Sequence, residues 1–162
     1  MKKVFTTLEV LNICAWYKQA RENEKKPLNS LPLKVQWTLK KNITAMNTIA
    51  ENFTNLQKEA EDDLRNRYMG DDKSYADKDE QGQDIRKIRE EYMSSFQKEV
   101  NDMNMKLNDI LMETVELELS PINVENIVNE IGDKETALSV EDLEILEQMK
   151  EETTPVEAEV VS

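Results

Sequence analysis

Two long stretches of this chain repeat apolar residues every three or four positions, a spacing that places them on one face of an α-helix. The first stretch, Leu33 to Met69, predicts a helix about 55 Å long at a rise of about 1.5 Å per residue. The second stretch, Ile85 to Thr114, predicts a helix about 45 Å long. Pro32 suits the first turn of the first helix, and Gly70 suits the position after its end.

The polar stretch between the two helices, Gly70 to Gln83, is shorter than either of them. Because it has to turn the chain back, we predict that the helices pack antiparallel as a long coiled-coil-like hairpin. The apolar stripe is wider than the seam of two helices needs, since Trp37 and Ile49 extend it. These extra positions predict cover from the N-terminal helix, from the C-terminal segment or from a second protomer.

Shorter elements flank the hairpin. Thr6 and Glu9 form a capping box, which predicts the start of an N-terminal helix. We expect that helix to end in the polar run 21–26. After the hairpin, Val115 to Leu119 alternates apolar and acidic residues as a half-buried strand does. Lys2 to Thr6 is its candidate partner in a small two-stranded β pairing.

The last part of the chain carries fewer signals. Ser139 and Asp142 form a second capping box and predict a short helix that reaches Met149. Residues 151–162 are acidic with few large apolar side chains, and we predict that they form a disordered tail. Residues 1–150 then make a single helical domain. The predicted fold class is mainly α, with a long antiparallel helical hairpin, short N- and C-terminal helices and a small two-stranded β pairing.

Composition narrows the classes of function. The 162 residues include 34 acidic and 21 basic side chains and no histidine, which gives a net charge of −13. Without histidine there is no Ser-His or Cys-His nucleophile system and no His-containing metal site. The acidic balance also disfavours binding to nucleic acid or to an anionic membrane surface. We therefore predict that the protein is not an enzyme.

The charge is distributed unevenly along the chain. Residues 1–41 contain nine Lys or Arg and three Glu, a sum of +6; residues 42–111 contain ten and sixteen, a sum of −6; residues 112–162 contain two and fifteen, a sum of −13. One interpretation is that the acidic C-terminal segment folds back on the basic N-terminal helix. The other is that it occupies a basic groove on another protein. In the second interpretation the candidate contacts are Glu141, Asp142, Glu144 and Glu147.

Two apolar residues are further candidates for contact with a protein partner. Trp37 extends the apolar stripe of the first long helix. Met103 belongs to a group of methionines on the second long helix, with Met93, Met105 and Met112. A methionine-rich face adapts to different partners, although methionine also fills gaps in a core. Both interpretations stay open at the level of sequence.

Signals for a metal or a cofactor are weak. The loop residues Asp77, Asp79, Gln81 and Gly82 match the first half of an EF-hand, but Ile88 stands where a bidentate carboxylate is needed. The three glycines are isolated from one another, so they form no phosphate-binding loop. We therefore predict no cofactor and no metal, and we interpret the loop as a solvated hairpin tip.

Cellular location follows from the remaining features. Cys14 stands among apolar residues, which indicates a structural thiol in a reducing compartment. Lys2 and Lys3 precede an apolar stretch that Glu9 and Asn12 interrupt, so we predict no signal peptide. The chain contains no apolar run of the roughly 18 residues that a transmembrane helix needs.

Five stretches occur in a familiar order: Leu31 to Val35, Lys40 to Asn42, the loop 70–83, Val115 to Ile122 and Leu138 to Leu143. In order and spacing they resemble a family of small uncharacterised proteins of tailed bacteriophages and prophages. The resemblance covers most of the chain, although the polar insert before the first stretch and the acidic tail are long for that family. It implies a phage origin, a location in the host cytoplasm or the virion, and no active site to carry over.

Two functions fit these features. The first is a non-catalytic phage protein that acts through protein–protein contacts, in virion assembly or as a virion-associated component. Its partners would be phage or host proteins, and its wide apolar stripes also favour a homo-oligomer. The second is a phage-encoded inhibitor of a host defence or nucleic-acid-binding enzyme, whose acidic surface covers a basic groove.

Overall fold

The computed structural model describes residues 1–22, 27–131 and 138–151. Its helices are α1 (Thr7–Glu22), α2 (Leu33–Tyr68), α3 (Glu90–Met112), α4 (Val124–Ile131) and α5 (Val140–Glu147), with a 3₁₀ turn at Pro27–Ser30. Its strands are β1 (Lys2–Thr6), β2 (Ser74–Lys78), β3 (Asp84–Ile88) and β4 (Thr114–Glu118). The described part is mainly helical with two small antiparallel sheets, β1 with β4 and β2 with β3. This confirms the mainly α class.

The N-terminal capping box is formed as predicted. The Thr6 backbone N–H donates to Glu9 Oε2 at 2.7 Å, and the Glu9 backbone N–H donates to Thr6 Oγ1 at 3.1 Å. Two otherwise unpaired donors of the first turn are satisfied in this way, so α1 begins at Thr7. The helix then buries Val10, Ile13 and Trp16, which recur every three residues on one face.

The predicted pairing of the end segments is confirmed. β1 and β4 run antiparallel, with Phe5 opposite Val115 and Lys3 opposite Leu117. The Leu119 backbone N–H extends the ladder by donating to the Met1 carbonyl at 2.8 Å. Phe5 is buried, so one face of this small sheet contributes to a core.

The chain divides into two compact units. Unit 1 consists of Met1–Ile49 and Thr114–Ser162, and unit 2 consists of Ala50–Glu113. The core of unit 1 takes apolar side chains from its helices, from β1 and from the segments between elements: Phe5, Val10, Ile13, Trp16, Leu28, Leu31, Leu39, Ile43, Met46, Leu119, Ile122, Val124, Ile127, Ile145, Leu146 and Met149. Val115 and Leu117 of β4 are partly buried against it. The expectation of one domain over residues 1–150 stays a prediction, and each unit is described by itself.

Helix α4 was not predicted from the sequence. It follows Asn123, whose Oδ1 accepts a hydrogen bond from the Asn126 backbone N–H at 3.0 Å. This is the contact of an N-cap residue, and Val124 and Ile127 are buried one turn apart behind it. The cap and the spacing are the signals that identify the helix.

The second capping box is also formed as predicted. The Ser139 side chain accepts from the Asp142 backbone N–H at 3.1 Å, and the Ser139 backbone N–H donates to Asp142 Oδ2 at 2.8 Å. α5 ends at Glu147 rather than reaching Met149, which is buried in the following turn. The Met149 carbonyl there accepts from the Ile122 backbone N–H at 3.0 Å. The predicted disordered tail lies, apart from Glu151, outside the described residues.

The predicted start of the second long helix, which lies in unit 2, is wrong. α3 begins at Glu90, because Ile85 and Ile88 belong to strand β3. The turn before β3 is closed by Asp79, whose Oδ1 accepts from the backbone N–H groups of Gln81 and Gln83 at 3.0 and 2.8 Å. Gly82 adopts φ +76° in this turn, a conformation that favours glycine.

The interpretation of the loop 70–83 as a solvated tip was therefore incomplete, because its middle part forms strand β2. Ser74 of β2 is fully buried, and its hydroxyl donates to the Gly70 carbonyl at 2.9 Å. The same hydroxyl accepts from Arg86 Nε at 2.9 Å. These side-chain contacts, together with the Asp79 turn, stabilise a β-hairpin. They outweigh the spacing of Ile85 and Ile88, which lie three positions apart and on that pattern predict a helix.

The first long helix is confirmed almost to the residue, since α2 ends at Tyr68 rather than Met69. In unit 2 its last turns pack on α3 and β3. Leu64, Tyr68 and Ile88 form the buried cluster, and Tyr92, Phe96, Val100 and Met103 pack against it. The rings of Tyr68 and Phe96 meet edge to face, with their centroids 5.2 Å apart.

Candidate protein-contact surfaces

A groove of about 400 Å³ lies between the second half of α2 and α3, within unit 2. We call it the unit 2 groove. Its apolar residues are Leu56, Ala60, Leu64, Met103, Leu107 and Ile110. Its charged residues are Asp63, Arg67, Glu99, Asp102 and Lys106. An apolar floor with a charged rim is the chemistry that suits the apolar face of another helix.

Arg67 is the centre of the polar cluster at the rim. Its Nη1 contacts Glu99 Oε1 at 2.7 Å on α3, and its Nε contacts Asp63 Oδ2 at 3.2 Å one turn back on α2. The planar guanidinium of Arg67 therefore links α2 to α3 through Glu99, and it also contacts Asp63 within α2.

The rim cluster changes the titration of Glu99. The neighbouring Tyr68 hydroxyl has the largest effect and lowers the pKa of Glu99, and the Arg67 guanidinium lowers it further. The carboxylate in turn raises the pKa of Tyr68. Glu99 Oε2 is buried and receives no hydrogen bond from the described residues. Glu99 is thus held as a carboxylate.

Met103, predicted as a contact for a protein partner, lies in the unit 2 groove. It is half-buried, lines the unit 2 groove and packs against the buried cluster of unit 2. Both interpretations of this residue therefore have support, since it fills a core gap on one side and faces the groove on the other.

Trp37 lies on the surface of unit 1. Its side chain is 60% exposed, and Leu33, one turn earlier on α2, is 82% exposed. The two side chains are neighbours on one face of the helix. The cover predicted for Trp37 is therefore not supplied within the described part of the chain, whereas Ile49 is half-buried against the unit 1 core.

Asp142 differs from the acidic residues around it. Its Oδ1 accepts a hydrogen bond from Trp16 Nε1 at 2.7 Å, and its Oδ2 accepts from the Ser139 backbone N–H. The residue is 8% exposed. Both carboxylate oxygens thus accept hydrogen bonds from within unit 1, which gives Asp142 a structural role. The predicted contact with a partner does not account for this role.

The other three acidic candidates lie on the outside of α5. Glu141, Glu144 and Glu147 are exposed and follow one another every three residues. They form an acidic row that belongs to the most acidic segment of the chain. Their spacing places them along one side of the helix, in a position to face a basic partner.

Two side-chain contacts join residues that are far apart in the sequence. The sequence does not predict the hydrogen bond between Trp16 and Asp142 or the ion pair between Arg67 and Glu99. The two residues of each pair are separated by 126 and 32 positions respectively. A signal for the second pair was present, because Arg67 and Glu99 both flank apolar stripes of helices that were expected to pack together.

The described residues show no grouping of three or more His, Cys, Asp or Glu side chains that could hold a metal ion. Cys14 is half-buried, and burial raises the pKa of its thiol to about 11. A thiol with this pKa stays protonated at neutral pH and is a poor nucleophile. No helix within the described ranges has both the length and the apolar character needed to cross a membrane.

The depressed pKa of Glu99 predicts a pH-dependent contribution to stability. A carboxylate whose pKa is lower in the folded state than its usual 4.5 stabilises the fold above that value, and this stabilisation is lost as the pH falls through the folded-state pKa. We expect Glu99→Gln to lower the free energy of unfolding at neutral pH, and the difference from the unmodified protein to shrink below about pH 4.5. Urea unfolding, followed by circular dichroism at several pH values, measures the free energy of unfolding of both proteins.

Glu59→Gln is the control for this prediction, because it removes an exposed carboxylate from the interior of α2, away from both helix ends. Its difference from the unmodified protein should not follow the pH profile of Glu99→Gln. A Glu99→Gln variant whose deficit is the same at neutral and at acidic pH would contradict the lowered pKa of Glu99.

Comparisons with known proteins identify no relative of this chain. No family model, no curated protein and no solved structure matches it. The resemblance to proteins of tailed phages therefore stays a prediction from the sequence.

Proposed function

We propose that this protein acts without catalysis, through protein–protein contacts made by the unit 2 groove. The observation that carries the proposal is the groove itself, in which apolar side chains from two helices line a surface depression with a charged rim. A concave surface that combines apolar side chains with charged ones is the kind of site in which the apolar face of an amphipathic helix binds.

The proposal includes the finer architecture predicted from the sequence. We take the second half of α2 and α3 to form an antiparallel, coiled-coil-like hairpin. Support comes from the edge-to-face contact of Tyr68 with Phe96 and from the ion pair of Arg67 with Glu99. In such a hairpin the groove is the open side of the seam, which a third helix can fill.

The setting of the proposal rests on the resemblance to tailed-phage proteins. In that setting the partner is a phage structural protein, and the role is in virion assembly or as a virion-associated component. The site of action would be the host cytoplasm or the virion. The occupant that fits the groove is an amphipathic helix, because its apolar face would cover Met103 and Leu107 while its polar edges meet the charged rim.

A charge placed in the groove tests this proposal. We expect Met103→Glu to weaken binding to the partner about tenfold or more, because the new carboxylate is desolvated against an apolar helix. The measurement is titration calorimetry with purified structural proteins of the phage. Met105→Glu is the matched control, since it makes the same change on the same helix at an exposed residue outside the groove.

Circular dichroism of both variants checks that they fold. If Met103→Glu is unfolded, Ala60→Gln replaces it, because a longer side chain at this half-buried position fills the groove from α2. Folded groove variants that bind every structural protein as tightly as the unmodified chain would overturn the proposal.

The acidic row on α5 favours a second candidate function. Here the protein inhibits a host defence or nucleic-acid-binding enzyme, with Glu141, Glu144 and Glu147 facing the basic groove of that enzyme. Three exposed carboxylates at a spacing of three residues offer repeated negative charge along one line. Such a surface attracts a groove built to receive phosphates.

This second function predicts a strong charge dependence. Replacing Glu141, Glu144 and Glu147 by Gln should reduce inhibition of host restriction endonucleases about tenfold or more, measured as cleavage of plasmid DNA. Replacing Glu51, Glu59 and Glu61 of α2 by Gln removes the same charge from other exposed positions and should leave inhibition unchanged. Equal inhibition by the two triple variants, or no inhibition by the unmodified protein, would exclude the acidic row as the inhibitory surface.

A further inference from the structure

The exposed side of α2 over residues 33–44 combines apolar side chains with positive charge. With about 100° of rotation per residue, Leu33 and Trp37 lie at the centre of this side, and lysines lie at both of its edges. The sequence of α2 contains no Asp or Glu before position 51, so the charge of this side is positive only. We call it the basic face of α2, and its exposed residues are Leu33, Lys34, Trp37, Lys40, Lys41 and Thr44.

The acidic row on α5 has the same arrangement with the opposite charge. Val140 lies within this row, since Glu147 falls to one side of it and Glu144 to the other. Leu33, at 82%, and Val140, at 72%, are the two most exposed large apolar side chains in the described part of the chain. Each surface therefore has an exposed apolar centre with charges around it, positive on α2 and negative on α5.

The two surfaces do not meet within one chain. Both belong to unit 1, yet among the residues that the structure describes, neither the three lysines nor the three glutamates take part in an ion pair. Trp37 likewise has no cover within the described ranges. The described part of the chain thus carries two complementary surfaces and leaves both of them open.

We infer that a second copy of this chain docks on the basic face of α2 with the acidic row of its α5. The glutamates of one copy then face the lysines of the other, and Val140 packs against Leu33 and Trp37. Contact between these three side chains removes apolar surface from water at the centre of the interface. Each chain carries both surfaces, so two copies make the same contact twice about a two-fold axis.

Charge and shape favour a second copy over nucleic acid as the occupant. A nucleic acid gains affinity from each phosphate that it pairs with Lys or Arg, and the basic face supplies three lysines on a chain whose net charge is −13. A short acidic helix instead offers three carboxylates and an apolar residue that matches Leu33. The net charge also opposes the approach of a second copy, which limits the dimer to moderate affinity.

Sedimentation equilibrium of the full chain tests the inference. We expect a species of twice the 18.9 kDa chain mass at about 100 µM, and dissociation on dilution. The double variants Lys40→Glu with Lys41→Glu, and Glu144→Lys with Glu147→Lys, should each weaken the dimer about tenfold or more, because like charges then face each other. An equimolar mixture of the two should restore it, since opposite charges meet again at both contacts.

Net charge alone predicts a different result. The Glu144→Lys, Glu147→Lys variant is less negative than the unmodified chain, so a dimer limited only by overall repulsion would become tighter. We expect it to become weaker. Lys58→Glu with Lys98→Glu is the matched control for the lysine pair, because it makes the same change of charge at exposed positions outside both surfaces. It should dimerise about as tightly as the unmodified chain does.

Two results overturn the inference. One is an unmodified chain that stays monomeric at about 100 µM, including the case in which its basic face binds a single-stranded oligonucleotide instead. The other is a mixture of the two charge-exchanged variants that stays as weakly associated as each variant alone. Circular dichroism checks that each variant folds, and the single exchanges Lys41→Glu and Glu144→Lys replace a double variant that does not.

The inference is independent of the unit 2 groove. Met103→Glu should leave the dimer intact, so the loss of partner binding in that variant tests the groove alone. In the second candidate function the acidic row faces a host enzyme, and dimerisation would then compete with inhibition.

Discussion

A buried side-chain amide fixes the segment after β4 against α2. Asn42 Nδ2 donates to the Ser120 carbonyl at 2.8 Å, and Asn42 Oδ1 accepts from the Ser120 backbone N–H at 2.8 Å. Both backbone polar groups of Ser120 are thereby satisfied beside the core. Leu119 and Ile122, which flank this contact, are buried, and Ile122 donates to the Met149 carbonyl. The contact thus lies where the chain leaves β4 for α4, and Ile122 joins the same segment to the turn after α5.

The two units use their apolar residues differently, and the proposed functions follow from that difference. The buried cluster of unit 1 contains sixteen residues, whereas the buried cluster of unit 2 contains three. Unit 2 therefore keeps a larger share of its apolar side chains at the surface, among them Leu56 in the groove and Met93, Met105 and Met112 on α3. Apolar residues that are not needed for a core are available for contact with other proteins.

Local signals made much of the fold predictable, and contacts between distant residues explain what was missed. The repeat of α2 and the capping boxes at Thr6 and Ser139 involve neighbours in sequence, and they are formed as predicted. Ile85 and Ile88 lie three residues apart, a spacing that predicts a helix, but the Asp79 turn and the pairing of β3 with β2 make this segment a strand. The sequence does not distinguish Asn42 from other polar residues of α2, because its partner Ser120 is distant in the chain. Met103 could be identified as a contact candidate, but its position in a groove depends on how α2 and α3 pack.

The central claim is that the Asn42–Ser120 contact holds unit 1 together, and Asn42→Ala tests it most directly. Trp16 and Trp37 both belong to unit 1, so tryptophan fluorescence during urea unfolding reports on this unit. We expect a loss of about 2–3 kcal/mol, because Ser120 is left with an unpaired donor and an unpaired acceptor. The exposed Asn47→Ala, on the same helix, should stay within about 0.5 kcal/mol of the unmodified protein. Equal stabilities of the two variants would contradict the claim.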